Sequence, residues 1–219
     1  MIPVIPSSLR RMGFIPGTVV ETILSTIASD GTPNVAPMGV WVQPGVNLVI
    51  RPYAETQTAR NLQEVPEAVI NITDDSRIFF NTAFKRRDTE VDAFFFDPAK
   101  SVRPPRLRGM LGYIEVDIEE PLKPREVDNP LEYECRVKEV EASPRLPQVH
   151  SRARLAAIEC VIHATRIVAL SDSDPDLTEK LYDLIKHYHR LVHRIAPSSV
   201  HAGVVDDVLY LVERLVYWL

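Results

Sequence analysis

Apolar and polar positions alternate through much of the first two-thirds of the chain. Residues 19–27 (VVETILSTI) are rich in β-branched side chains. Val20, Thr22, Leu24 and Thr26 fall on one face, and Val19, Glu21, Ile23, Ser25 and Ile27 on the other, the period-two pattern of a strand. Ser29-Asp30-Gly31-Thr32 carries the Asp-Gly signal of a tight hairpin. Residues 34–42 (NVAPMGVWV) read as the return strand, followed by Pro44-Gly45 and a third strand over 46–50. A fourth spans 69–72, a short one 92–96, and two more 112–118 and 133–140. Six or seven strands joined mostly by turns predict a closed or nearly closed barrel.

After Ser143-Pro144-Arg145-Leu146-Pro147 the period lengthens to about three and a half. Leu155, Ile158, Ile162 and Thr165, flanked by Ala156, Val161 and Val168, mark the expected apolar face of a helix. Asp174 and Pro175 read as the N-cap and first residue of another, with Leu181, Leu184, Ile185, Tyr188, Leu191, Val192 and Ile195 as its stripe. Asp206 and Asp207 are taken as the start of a last helix reaching Trp218. The expected organisation is therefore α+β: a barrel over residues 1–142 and a C-terminal helical domain over 143–219.

Composition narrows the function. Of 219 residues, 45% are hydrophobic and 25% charged, enough for a packed core. The net charge of −5 gives no reason to expect nucleic acid as a partner. No apolar run approaches the ~18 residues of a membrane helix, and Met1-Ile2-Pro3-Val4-Ile5-Pro6 lacks the basic start of a signal peptide. Cys135 and Cys160 lack CxxC spacing and suit a reducing compartment. A cytoplasmic protein without membrane contact is expected.

The second strand contains its own anomaly. Pro37 has no N–H to give a ladder and Gly39 has no side chain to pack, so Ala36, Pro37, Met38, Gly39 and Val40 mark an edge, a bulge or a close approach to the backbone. The stretch after the third strand, Arg51-Pro52-Tyr53-Ala54-Glu55-Thr56-Gln57-Thr58-Ala59-Arg60-Asn61, adds chemistry to it. Its threonines can cap a short helix whose first N–H groups attract an anion. Arg51 can grip a phosphate, and Thr hydroxyls with an Asn amide complete a cradle. Ordinary capping with solvated arginines is the alternative.

In this order, a strand, a DG turn, N-x-A-P-M-G, a strand ending in Arg, T-x-T-x-x-N-L and V-I-N-I resemble the FMN-binding split-barrel flavoproteins, which include flavin reductase-like and pyridoxamine-phosphate-oxidase-like proteins. The whole chain looks most like a mainly archaeal family of unknown function that joins such a barrel to a C-terminal helical domain. The resemblance implies non-covalent FMN at a homodimer interface and an oxidoreductase acting on a small molecule. A non-catalytic carrier of flavin or a phosphate ligand is the alternative. By position, Ala36, Pro37, Met38, Gly39 and Val40 would face the isoalloxazine through backbone groups. Arg51, Thr56, Thr58 and Asn61 would hold the phosphate, with Gln57 and Tyr53 nearby. Asn71 would bond the ring or satisfy barrel backbone. The Asn71 and Thr56–Thr58–Asn61 pattern sits nearer the reductase-like branch. No side chain presents itself as a catalytic acid or base, which flavin chemistry permits.

Other clusters carry weaker signals. His189 and His193 share a helix face, yet a metal site needs further ligands and Arg190 stands where HExxH has Glu, so no metal is expected. Asp183 is placed to pair with His187. Lys85-Arg86-Arg87 and the arginines at 103, 106 and 108 form basic patches, either a mouth attracting an anionic substrate or solvated loops. Asp74-Asp75 reads as a turn.

Overall fold

The computed structural model describes residues 7–12, 14, 16–17, 19–43, 48–84, 95–119, 131–142, 152–170 and 173–216. The chain divides into two compact units: residues 1–73 with 85–145, and residues 74–84 with 146–219.

In the first unit a short helix, α1 (Ser7–Arg11), precedes β1 (Val19–Ile27) and β2 (Pro33–Val42). The turn between them closes as its composition predicts. Gly31 has φ +91°, the left-handed region that glycine enters at no steric cost, and Thr32 N–H donates to Asp30 Oδ1 at 2.8 Å. That turn sets a register with Ile27 opposite Pro33 and Ile23 opposite Pro37. β3 (Leu48–Ile50), helix α2 (Gln57–Glu64) and β4 (Glu67–Ile72) follow. A two-stranded ladder of β5 (Phe96–Asp97) and β6 (Arg106–Leu107) comes next, then β7 (Gly112–Ile118) and β8 (Tyr133–Ala142).

Six strands close a barrel in the order β1-β2-β3-β8-β7-β4, every pairing antiparallel. Between Glu115 and Val116 the β7–β8 register slips, the kind of irregularity that bends a strand around a barrel. Leu24, Val40, Leu48, Ile50, Ile70, Ile114 and Val116 are fully buried and pack with Tyr133 in one core cluster. The sequence-predicted strands over 19–27 and 112–118 match β1 and β7 end to end. Of the expected strand over 46–50, residues 46–47 lie outside the described residues, as do 92–94 of that over 92–96, whose Phe96 begins β5.

The second unit is helical: α3 (Ser76–Ala83), α4 (Arg152–Leu170), α5 (Pro175–Ile195) and α6 (Val200–Val216). Three expectations are corrected here. Asp75 is the N-cap of α3, accepting from Arg77 N–H at 2.8 Å, where a simple turn was expected. α6 begins at Val200, six residues before Asp206, because Ser199 Oγ accepts from Ala202 N–H at 3.3 Å and caps it. In α4, Leu155 and Val168 are 46% and 52% exposed. Its buried face keeps the expected Ala156 and Val161 and adds Ala153, Ala157, Cys160, His163, Ala164 and Ile167. Small side chains let α4 lie close against α5 and α6, so bulk is not what marks the packed face.

Candidate functional site

β2 has β1 along its whole inner register, but β3 pairs only with Val40, Trp41 and Val42. Among the described residues no strand covers the other side of β2 from Pro33 to Gly39. This open edge explains the proline: Pro37 stands where no third strand needs its missing donor. The register past it runs without a slip, so of the three readings of this stretch a bulge is not what the structure shows. Ala36, Pro37 and Gly39 are half-buried, and Met38 and Val40 point into the core. Thr22 Oγ1 donates to Met38 O at 2.9 Å and holds the strand flat. A Cβ on Gly39 would sit 3.2 Å from Val19 Cγ1, tighter than an ordinary contact.

The second motif begins where β3 ends. Arg51 stacks over Trp41 of β2 at 4.3 Å, and its Nε and Nη2 each lie 2.8 Å from Glu132 Oε2. The guanidinium therefore lies beside β2, already paired with a carboxylate. Tyr53 is exposed. A turn brings Thr56 N–H to Tyr53 O at 3.1 Å, and Thr56 then caps α2 by accepting from Ala59 N–H at 3.2 Å. The first N–H groups of such a helix have no acceptor within it. Arg60 is exposed, with Nη1 donating to Glu55 O at 2.8 Å.

Thr58 and Asn61 face inward from α2, 3% and 1% exposed. Asn34 Nδ2 donates to Thr58 Oγ1 at 3.2 Å and to Thr26 Oγ1 at 3.3 Å. Asn61 Nδ2 donates to the same Thr26 hydroxyl at 3.1 Å, and Gln57 Nε2 to Asn61 Oδ1 at 2.6 Å. Asn34 thus ties the open edge of β2 to the first turn of α2, making one continuous surface of two sequence motifs. Asn34 and Thr26 were not singled out from sequence, although Asn34 heads the N-x-A-P-M-G stretch.

Asn71 bonds barrel backbone. It is fully buried, its Nδ2 donating to Ile23 O, Ser25 Oγ and Val69 O and its Oδ1 accepting from Leu107 N–H at 2.9 Å. One side chain thereby joins β1, β4 and β6.

Residues 20–143 match the N-terminal domain of DUF447, a protein of unknown function. The chain belongs to the DUF447 family. An FMN-bound DUF447 protein from Methanosarcina mazei has a similar fold, with TM-score 0.74 and 20% identity over 93% of this chain and 99% of that one. A split-barrel-domain protein from Shewanella frigidimarina is similar at TM-score 0.52, with 11% identity over 64% of this chain and 74% of that one. An NADH:FAD oxidoreductase from Streptomyces globisporus, in complex with NAD and FAD fragments, reaches TM-score 0.50 with 11% identity, covering 68% and 98%. No curated protein matches the sequence. The barrel of this chain thus has the split-barrel fold.

The basic patch of this DUF447 chain is taken up by ion pairs. Arg103 pairs with Glu67 and Arg108 with Asp97. Arg106 is buried at 6% exposure between Glu115 and Glu141. Burial alone would raise the Glu115 carboxyl, but the N–H groups of Lys100 and Ser101 and the Arg106 guanidinium outweigh it and hold it below its usual range. Lys100 and Arg106 lower Glu141 to about 2. Residues 85–87 of the other basic patch lie outside the described residues.

Proposed function

We propose that this chain binds FMN without covalent linkage and works as an oxidoreductase passing electrons to a small molecule. The observation that carries this reading is the Asn34 bridge, which joins an uncovered β2 edge to a capped helix start. The donor set fits the two ends of FMN. The open edge of Ala36, Pro37, Met38 and Gly39, ending where Val40 pairs with β3, offers backbone groups and little side-chain bulk to a flat ring. The N–H groups of Gln57 and Thr58 suit a phosphate at a helix N-terminus, while the Thr56 hydroxyl, donating to Tyr53 O and accepting from Ala59 N–H, fixes the turn before them. Arg51, at the end of β3, is a cation already oriented by Glu132 and Trp41, and Gln57, Tyr53 and Arg60 are exposed around the helix start. Thr58, Asn61 and Asn71 act from behind, fixing the wall. The bound FMN supplies reversible electron transfer. The similarity to an FMN-bound family member supports the ligand.

A strand edge covers one side of a ring, so a second wall is needed to exclude water, and a homodimer would supply it. Cys135 and Cys160 are free and buried, which favours a reducing, cytoplasmic setting. No helix of the described residues is long and apolar enough to cross a membrane.

A non-catalytic flavin carrier is the second reading, since flavin binding alone does not require turnover. Purified protein with added FMN should show the bound-flavin visible spectrum and quenched flavin fluorescence. Bleaching by NADH faster than free FMN supports the reductase, and tight binding without acceleration supports the carrier. Asn34→Ala should weaken FMN about tenfold through loss of the bridge; wild-type protein that leaves FMN fluorescence unchanged would end the proposal.

A further inference from the structure

Two imidazoles and one carboxylate converge within the helical unit, on helices that hold none of the residues assigned above. His189 Nε2 lies 2.8 Å and His193 Nε2 2.7 Å from the same oxygen, Asp206 Oδ1. Their i, i+4 spacing places both rings on one face of α5, with centroids 4.5 Å apart. Asp206 comes from α6, and the three ligand atoms all lie within 4.8 Å of one another. Sequence spacing shows the two histidines but not the third ligand, which only the α5–α6 packing brings in.

A carboxylate that needs only a hydrogen bond is served by one imidazole. Here two rings aim the same type of nitrogen at one oxygen. First-row metals sit about 2.0–2.2 Å from such atoms, which puts neighbouring ligands roughly 2.8–3.5 Å apart. Small side-chain rotations bring the observed atoms to that spacing. We propose that His189, His193 and Asp206 bind a divalent first-row transition ion. Two imidazoles with a single carboxylate suit zinc, iron or nickel better than magnesium or calcium. Side-chain exposures of 26%, 37% and 51% leave the remaining coordination positions open to water or an external donor. The site also links α5 to α6, so the ion stabilises that pairing.

The test is calorimetric titration of Zn(II) alone into tag-free, EDTA-treated full-length protein. One equivalent should bind with micromolar or tighter affinity and raise the melting temperature. His189→Ala, His193→Ala and Asp206→Asn should each weaken binding at least tenfold. Asp206→Asn is the discriminating variant, because its amide oxygen still accepts a hydrogen bond but is a poor ligand. Where an alanine variant loses its helical far-UV signal, Asp206→Asn and His189→Asn decide in its place. Co(II) should give visible d–d bands in wild type that Asp206→Asn lacks. Absence of stoichiometric binding overturns the proposal, as does binding that Asp206→Asn leaves unchanged.

Discussion

Asn71 is one side chain with four hydrogen-bond partners and no exposed surface. Replacing it leaves the buried Leu107 N–H without its acceptor and removes the donor to Ile23 O, Val69 O and Ser25 Oγ. Asn71→Ala should destabilise the protein by about 3 kcal/mol in urea unfolding, far more than Gln57→Ala on the exposed helix face. Its amide could be read from V-I-N-I, but its partners could not, because β6 is only two residues long. Arg106 behaves similarly: its charge invites a solvent-facing reading, whereas the fold buries it between two carboxylates. Of these, Glu141 is held at about 2 against an ordinary 4.5. A carboxyl lowered by folding contributes its full stabilisation above its unfolded pKa and loses it as pH falls toward the folded value. Glu141→Gln should therefore flatten the decline in urea midpoint between pH 4.5 and about 2.

At the scale of elements, period-two strands were legible wherever one face meets the core, as β1 and β7 show. The cap Asp174 of α5 was legible for the same local reason: its Oδ1 accepts from Leu177 N–H at 3.0 Å. Elements whose signal is tertiary were not. α6 is capped by Ser199, while the acidic pair that suggested a start has partners elsewhere: Asp206 on two histidines, and Asp207 on Arg77. Lys186 pairs with Asp183, where His187 was the expected partner. Ser199→Ala should cost about 1 kcal/mol by thermal unfolding, the usual effect of removing an N-cap. In the candidate site, the capped α2 and the awkward β2 could each be read alone. Their union through Asn34 could not, since it depends on the hairpin register that Gly31 sets.

At the scale of the molecule, α3 is encoded between two barrel strands yet belongs with α4 and α6. Its Phe79 is 1% exposed. A fragment ending at residue 142 keeps α3 but loses the helices it packs on. Such a fragment should self-associate in size-exclusion chromatography, through an aromatic face that full-length protein conceals. Two polypeptide crossings, at 73/74 and 84/85, precede the final one at 145/146. A single proteolytic nick therefore cannot release the helical unit whole: cuts on both sides of 74–84 and a third near 145 are needed to part it from the barrel chain.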